Sequence, residues 1–311
     1  MPLKPKIIYN PAAAKGAAGK NRHHVEALLR RHEFDYDLVL TEGPGHAGML
    51  ARQAADEGRD VVVAAGGDGT ANEVINGLMQ SERLSKPALG VLPVGRGNDF
   101  AFGIGVPHHL EQAAQILARG ERRTIDVGRV TGGDYPQGRY FGNGVGLGFD
   151  TVVGFEAAKV KTFHSAVSYL YGLMKAMFLY AHAPVYELVI DGVPQQGPFL
   201  MVSIMNGRRM GGMFLMAPQS DSGDGLFDLC LVGQVKQVGI LPVALKFISG
   251  TQAEHAAVQM VRAKQISVRA VQGSIPAHAD GETICTAGQL VSVELCACAV
   301  DVITGLDGRV L

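Results

Sequence analysis

The sequence predicts an α/β protein in two parts. An open, mostly parallel sheet flanked by helices spans residues 1–130, and an antiparallel, β-rich part with helices spans residues 131–299. Three observations predict it. In the first part, continuous apolar runs alternate with helical patterns, as strands covered on both faces do. From Arg139 onward many strands alternate apolar and polar residues, as half-buried antiparallel strands do. Gly-rich or polar turns end successive strands of the first part, at the sheet edge where open α/β sheets hold ligands. With 311 residues, 47% hydrophobic and 18% charged, the chain can build two cores and lies far from disordered compositions.

The elements follow in order. "KIIYN" is a first strand, residues 21–32 a helix, "YDLVLTE" a second strand and residues 46–57 a helix. "DVVVAAGG" is the third strand, "ALGVLPVG" the fourth, and residues 110–119 a further helix; this is βαβ repetition. After "RTIDVGRV" come "RYFGNGVGLGF", "VYELVID", "FLMVSIMN", "GLFDLCLVG", "QMVRAKQISVRA", "GSIPAHADGE" and "LVSVELCA". Helices interrupt them around residues 165–181 and 234–249. The tail, residues 300–311, either ends in the second part or returns to the first.

Composition excludes several classes. A net charge of −1 gives no basis for a nucleic-acid partner. Cys230, Cys285, Cys296 and Cys298 fit no zinc template, because Cys-Ala-Cys on an alternating strand directs both thiols the same way without a second pair. Buried thiols in a reducing cytoplasm are expected. The start "MPLKPKIIYNP" has no apolar region of signal-peptide length, and no stretch reaches the ~18 apolar residues a membrane span needs.

The chemistry concentrates in four segments. In "GGDGT", Gly66, Gly67 and Gly69 follow a parallel strand, and Thr70 is placed to cap a helix beginning near Ala71. Backbone N–H groups at such a turn attract phosphate, and glycines let it approach. Asp68 among those donors would repel a bare phosphate, so a cation such as Mg²⁺ between them makes better sense. A plain turn with an Asx hydrogen bond remains the alternative. "AKGAAGKN" lacks the first Gly of a Walker A loop and ends in Asn21, and "GNGVGLG" is not a dinucleotide fingerprint. "LPVGRGNDFA" is a second Gly-rich turn, with Asn98 and Asp99 at the start of a short helix. Asn10 and Lys15 after the first strand and Thr41 after the second share that edge, making a nucleotide cleft.

"GGDGT", "LPVGRGNDFA", "NP" after the first strand and a later "DGE" together resemble the diacylglycerol kinase catalytic-domain family, which includes bacterial lipid kinases, sphingosine kinases and ceramide kinases. The resemblance runs nearly the full chain. It implies a nucleotide-binding domain like that of NAD kinases, a β-sandwich domain, and ATP in the cleft between them. By position it implies nucleotide contacts at Asn10, at Thr41, and from Gly66 through Gly67, Asp68, Gly69, Thr70 and Ala71 to Asn72. The second motif adds Arg96, Gly97, Asn98 and Asp99. Two departures stand out: Arg96 replaces the usual Thr, and Ala14 stands where relatives often have Gly.

In "HADGET" the resemblance implies Glu282 as the general base toward an alcohol, with Asp280 assisting through Mg²⁺. Taken alone, the segment reads as an Asp-Gly hairpin with exposed acids. "APQSDSGDGLFDL" offers Asp221, Asp224 and Asp228, oxygen ligands of the kind that suit Mg²⁺. Relatives bind Mg²⁺ at the corresponding segment, which implies ligation by Asp221, Asp224 and the Leu226 carbonyl. Gly223 replaces one acid of the family's pair, and an acidic turn without metal is the alternative. "SYLYGLMKAMFLYAHAP", Ser168 to Pro184, is a core helix or, with "GGMFLMAP", a wall of an acyl-chain pocket or a membrane-contact surface.

The resulting expectation is an ATP- and Mg²⁺-dependent kinase of a lipid hydroxyl, cytoplasmic and peripheral at the membrane, with transient membrane contact. Oligomeric state stays open, a homodimer included. The rivals are a kinase of a soluble alcohol such as NAD, whose kinases share GGDGT, and a nucleotide-binding regulator without transfer activity. "GNDFA" and the β-rich half carrying "DGE" argue for lipid; Arg96 and Gly223 give weight to the regulator.

Overall fold

The computed structural model describes residues 4–83, 85–159, 172, 175–176 and 182–305. Four strands, β1 (Lys6–Tyr9), β2 (Asp37–Leu40), β3 (Val61–Gly66) and β4 (Ala88–Pro93), pair in parallel in the order β2-β1-β3-β4. Every residue of β3 and β4 is buried, which is why these runs are continuously apolar. Helices α1 (Ala17–Arg31), α2 (His46–Asp56), α3 (Asp68–Met79), α4 (Asp99–Gly103) and α5 (Leu110–Arg119) connect or follow them. The register pairs Gly66 with Pro93, so the turns leaving β3 and β4 lie side by side.

The antiparallel part contains β5 (Arg122–Gly132), β6 (Tyr135–Phe141), β7 (Gly144–Gly148), α6 (Phe149–Lys159), β8 (Val185–Ile190), β9 (Val193–Met205) and β10 (Phe227–Gly233). Helix α7 (Gln237–Ser249) follows, then β11 (Val258–Ala263), β12 (Gln265–Gln272), β13 (Ile275–Ala279), β14 (Glu282–Gly288) and β15 (Leu290–Ile303). Strand β9 serves two layers: its first half pairs with β8, and its second half lies between β7 and β10. Side chains between those layers form a core around Phe141, Tyr186, Ile204 and Phe227.

Strand β15 ties the two parts together. It pairs with β12 through Leu290–Glu294 and with β5 along its length, then reaches β4 in parallel at Val302 and Leu89. Val300, Val302 and Ile303 pack in the core of the parallel sheet. A third cluster joins α6 and α7 to β9 and β10 through Phe149, Met201, Val243 and Phe247.

Several expectations change in detail. "RYFGNGVGLGF" is two strands, split at Gly142–Asn143, and "QMVRAKQISVRA" is two, split at Lys264. The first helix starts at Ala17 rather than residue 21. Most of the helix expected at residues 165–181 lies outside the described residues. Cys230 and Cys285 are buried, but Cys296 is half-buried and Cys298 exposed. A register shift between Cys296 and Val300, with φ of 49° at Cys298, breaks the alternation there, so the two thiols do not share one regular face. Among the described residues no helix is long and apolar enough to cross a membrane.

Helices α2 and α3 approach so closely that a Cβ on Gly77 would lie 2.1 Å from the Gly48 carbonyl oxygen. Gly77→Ala is therefore expected to cost about 1–3 kcal/mol through forced separation of the helices, read as a lower urea midpoint. Gly43→Ala, whose Cβ would meet nothing within 4 Å, should leave the midpoint nearly unchanged.

Candidate active site

The site is built on two turns in backbone contact. Gly67 is the N-cap of α3 and the helix begins at Asp68, one turn earlier than expected. Thr70 is therefore not the cap. Its Oγ1 accepts a hydrogen bond from Asn10 Nδ2 at 2.9 Å, and a Cβ on Gly66 would lie 2.2 Å from that oxygen. The N–H groups of Val94 and Gly95 both donate to the Gly66 carbonyl at 3.1 Å. A Cβ on Gly95 would lie 2.3 Å from the Gly67 Cα, so the two Gly-rich turns need their glycines against each other. Asn98, in the left-handed conformation, closes the second turn: its Oδ1 accepts from Gly95 N–H and its Nδ2 donates to the Gly95 carbonyl.

Carboxylates crowd the floor between these turns. Asp68 Oδ1 accepts from the Phe100 N–H at 3.0 Å. Burial, then the neighbouring carboxylates of Asp99 and Asp280, holds the Asp68 carboxyl above its ordinary range. The Cβ position of Gly97 is 2.8 Å from Asp68 Oδ2 and 3.5 Å from Asp99 Oδ2, so both oxygens face one spot. Asp99 is also held by protein donors. Arg209 Nε donates to it at 2.7 Å, and the Gly212 N–H donates to both its oxygens. The Arg209 guanidinium also donates to the Gly97 carbonyl and stacks 4.1 Å over the Phe102 ring. Nothing in the local sequence around Arg209 signals this role, since its partners lie 110 residues away.

The "DGE" segment is a two-residue hairpin turn between β13 and β14, with φ of 49° at Asp280 and 85° at Gly281. The hairpin is as read from sequence, but Asp280 is buried rather than exposed. Its Oδ1 accepts from the N–H groups of Asn143 and Gly144, and its Oδ2 from Gly142 N–H and Asn72 Nδ2, at 2.8–3.0 Å. All four lone-pair positions are taken, so assistance through a metal ion does not fit Asp280. Asn72 likewise faces inward: it donates to Asp280 and to the Tyr140 carbonyl and accepts from Arg139. Glu282, by contrast, is exposed, and its Oε1 lies 2.9 Å from the Cβ position of Gly69. The hairpin thus carries Glu282 over the first turn of α3.

A cavity of about 950 Å³ opens from this floor. Lys15, Asp68, Arg96, Gly97, Asp99 and Asp280 line its polar end. Asn10, Thr41, Thr70, Ala71 and Asn72 do not line it. Asn10 braces Thr70, the Thr41 N–H donates to the Tyr9 carbonyl, and Thr70 and Ala71 are buried. The rest of the cavity is apolar, walled by Phe149, Val153, Leu200, Met201, Val243 and Phe247, with Met213, Phe214 and Met216 of "GGMFLMAP". Most of "SYLYGLMKAMFLYAHAP" lies outside the described residues.

One polar pair interrupts the apolar wall and was not evident from sequence. His278 Nε2 lies 4.0 Å from Asp150 Oδ2. Burial pushes Asp150 up to about 7, against the opposing hydrogen bond from Thr151, and pushes His278 down to about 4. The signal was present in "GNGVGLG": a Cβ on Gly146 would lie 2.3 Å from Asp150 Oδ2 and 2.5 Å from His278 Nε2, so that glycine makes room for the pair.

The expected metal ligands Asp221, Asp224 and Leu226 lie away from the cavity lining. Asp221 is paired with Arg123 and Asp224 with Arg262, whose Nε is also 3.7 Å from Asp228. A Cβ on Gly223 would lie 2.8 Å from Arg123 Nη2. Where the family pattern has a second acid, this chain has a glycine with a guanidinium against it. Arginines already neutralise the carboxylates, so this turn does not fit a resident Mg²⁺. Among the described residues no group of three or more His, Cys, Asp or Glu side chains converges as a metal site.

A sequence model of the diacylglycerol kinase catalytic domain matches residues 4–130, and one of the YegS C-terminal NAD kinase beta sandwich-like domain matches residues 143–304. A diacylglycerol kinase of Bacillus subtilis (strain 168) is 30% identical over 279 residues, covering 89% of each chain. One of Staphylococcus carnosus (strain TM300) is 27% identical over 91% of this chain and 89% of its own. The structure of a diacylglycerol kinase from Bacillus anthracis superposes with a TM-score of 0.72 at 22% identity, covering 98% of both chains. An NAD kinase from Archaeoglobus fulgidus in complex with ATP gives a TM-score of 0.51 at 13% identity, covering 98% of this chain and 95% of that one. The last two are likenesses of fold: a parallel-sheet α/β part joined to antiparallel strands.

Two outcomes follow from the geometry. Folded Asp150 keeps a proton up to about pH 7, whereas the unfolded group releases it near 3.8, so its contribution favours folding at low pH and is lost as pH rises to about 7. His278 acts in the opposite sense, its contribution being lost as pH falls from 6.5 toward about 4. Asp150→Asn should therefore remove a fall in stability between about pH 4 and 7, read as the difference between wild-type and variant urea midpoints across that range. At the acidic turn, EDTA or added Mg²⁺ without nucleotide should leave the wild-type thermal midpoint unchanged in a fluorescence melt.

Proposed function

Because the chain belongs to the diacylglycerol kinase catalytic-domain family, we propose that it transfers the γ-phosphoryl group of ATP to a hydroxyl of a diacylglycerol-like lipid. One observation carries this reading. A single cavity of about 950 Å³ has a polar end beneath two Gly-rich turns and an otherwise mostly apolar wall. The polar end suits nucleotide phosphates; the wall suits acyl chains, and a dinucleotide acceptor would ask for a more polar one. The likeness to an NAD kinase is one of fold and carries no substrate.

The roles divide by chemistry. The first-turn N–H groups of α3 have no partner within the helix, and they and the helix's positive end hold phosphate oxygens. Arg96 adds a guanidinium at the same end. Asp68 Oδ2 and Asp99 Oδ2 face one spot amid crowded negative charge, a donor set that fits Mg²⁺. When bound, the ion supplies neutralisation of the phosphate charge. Glu282 accepts the lipid hydroxyl proton as the hydroxyl oxygen bonds to the γ-phosphorus and the bond to the ADP oxygen breaks. Asp280 and Asn72 position the hairpin that carries Glu282. Arg209 fixes Asp99. The Asp150–His278 pair meets the polar part of the lipid between the acyl chains and the reacting hydroxyl.

Incubation with labelled ATP and, separately, diacylglycerol, sphingoid base, phosphatidylglycerol and NAD tests the reading. Labelled phosphatidic acid from the diacylglycerol arm is expected. Nucleotide binding without any labelled lipid would leave a regulator instead. Glu282→Gln and Asp68→Ala should each lower turnover by at least ~10², with unchanged far-UV circular dichroism. Near-wild-type turnover in both would remove the assigned mechanism.

A further inference from the structure

Helix α7 has two apolar faces. Ile240, Val243 and Phe247 are buried, and with Ala244 they line the cavity. Val238, Leu241, Leu245 and Ile248 are 86%, 47%, 57% and 43% exposed. Their spacing of three, four and three residues puts them in one stripe along the helix. Other large exposed apolar residues, such as Val193, Val271 and Leu290, belong to separate strands. The loop beside α7 continues the stripe. Leu215 N–H donates to the Phe247 carbonyl, Gln252 Nε2 donates to the Leu215 and Met216 carbonyls, and Met213 of that loop is 37% exposed while lining the cavity.

We propose that this stripe, with Met213, docks the protein on an anionic lipid bilayer and sets the α7 wall of the cavity against the membrane. The proposal rests on the lipid-kinase reading. Two observations select a bilayer. From Leu229 to Ala253 the chain has no Asp or Glu, Lys236 stands at the start of the stripe, and Lys246, between Leu245 and Ile248, holds the next acid, Glu254, at 2.9 Å, so the face turns no uncompensated negative charge toward an anionic interface. The same helix separates solvent from the acyl-sized chamber, so docking there brings a membrane-resident substrate to the cavity by the shortest path. Pro242 lies inside α7 and has no N–H, so the Val238 carbonyl at the exposed end of the stripe loses its helical partner and the wall is weakened at that end.

The test is co-sedimentation with phosphatidylcholine–phosphatidylglycerol vesicles, without ATP or diacylglycerol. It compares wild type, the double variant Val238→Asp/Leu245→Asp and the control Val193→Asp. None of these residues lines the cavity, and circular dichroism checks folding. Wild type and control should sediment, and the double variant should lose at least ~10-fold in partitioning. Its phosphorylation of diacylglycerol in vesicles should fall in parallel, while phosphorylation of a dispersed short-chain diacylglycerol should hold. Wild-type partitioning by the double variant, or no sedimentation of wild type, overturns the proposal. So does a wild-type dimer that the double substitution dissociates without any vesicle binding, since the stripe is then a contact between copies. Vesicle binding that the double substitution abolishes, with no lipid phosphorylated by wild type, would keep the docking surface and overturn the kinase reading instead.

Discussion

Four N–H groups converge on the carboxylate of Asp280, three from the backbone of residues 142–144 and one from Asn72 on α3, and the rest of the cleft takes its shape from that convergence. The bonds join three elements distant in sequence: the first helix after "GGDGT", the turn between β6 and β7, and the β13–β14 hairpin. Charge-assisted bonds of this kind contribute about 1.5–3 kcal/mol each, and a donor left unpaired costs comparably. Burial drives the Asp280 carboxyl upward while the four donors oppose it. The clasp is why Glu282, two residues on and exposed, stands over Gly69.

The floor of the cleft shows a related economy. Asp68 and Asp99 sit close enough to raise the proton affinity of Asp68, yet each carboxylate keeps protein donors: Phe100 N–H on one, Arg209 and Gly212 N–H on the other. Those donors orient the acids and leave the Asp68 and Asp99 Oδ2 atoms facing the same spot beside Gly97. At the remote acidic turn the balance differs. Arg123 and Arg262 supply the positive charge, and Gly223 makes the room Arg123 occupies. Asp99 and the acids of that turn are thus all held by guanidinium groups, whereas the Asp68 carboxylate is held by the Phe100 N–H.

The cavity joins this polar floor to a wall of aromatic and aliphatic side chains from α6, β9, α7 and the 210–216 loop. The Asp150–His278 pair breaks that wall, each member displaced by burial toward its uncharged form. Helix α7 is at once wall and surface: Ile240, Val243 and Phe247 are buried against the cavity while Val238, Leu241 and Leu245 stay exposed.

Sequence by itself determined the alternation of apolar runs with helices, the parallel pairing of β1 to β4, and the Gly-rich turns at their ends. These are local: strand period, glycine at close approaches and apolar continuity are written in consecutive residues. The Asp-Gly hairpin was legible for the same reason. Tertiary structure decided which polar residues face the cleft. Asn72, Thr70 and Asp280 carry the right motif letters but spend their hydrogen bonds inward, on Arg139, Asn10 and the 142–144 backbone. Arg209 and Asp150 lie outside those motifs, His278 opens "HADGET" with no role legible there, and all three enter the site or its wall only because strands distant in sequence bring them there. A motif fixes backbone shape over a few residues. Whether a carboxylate has a free lone pair depends on donors a hundred residues away, and that is settled only when the sheets pack.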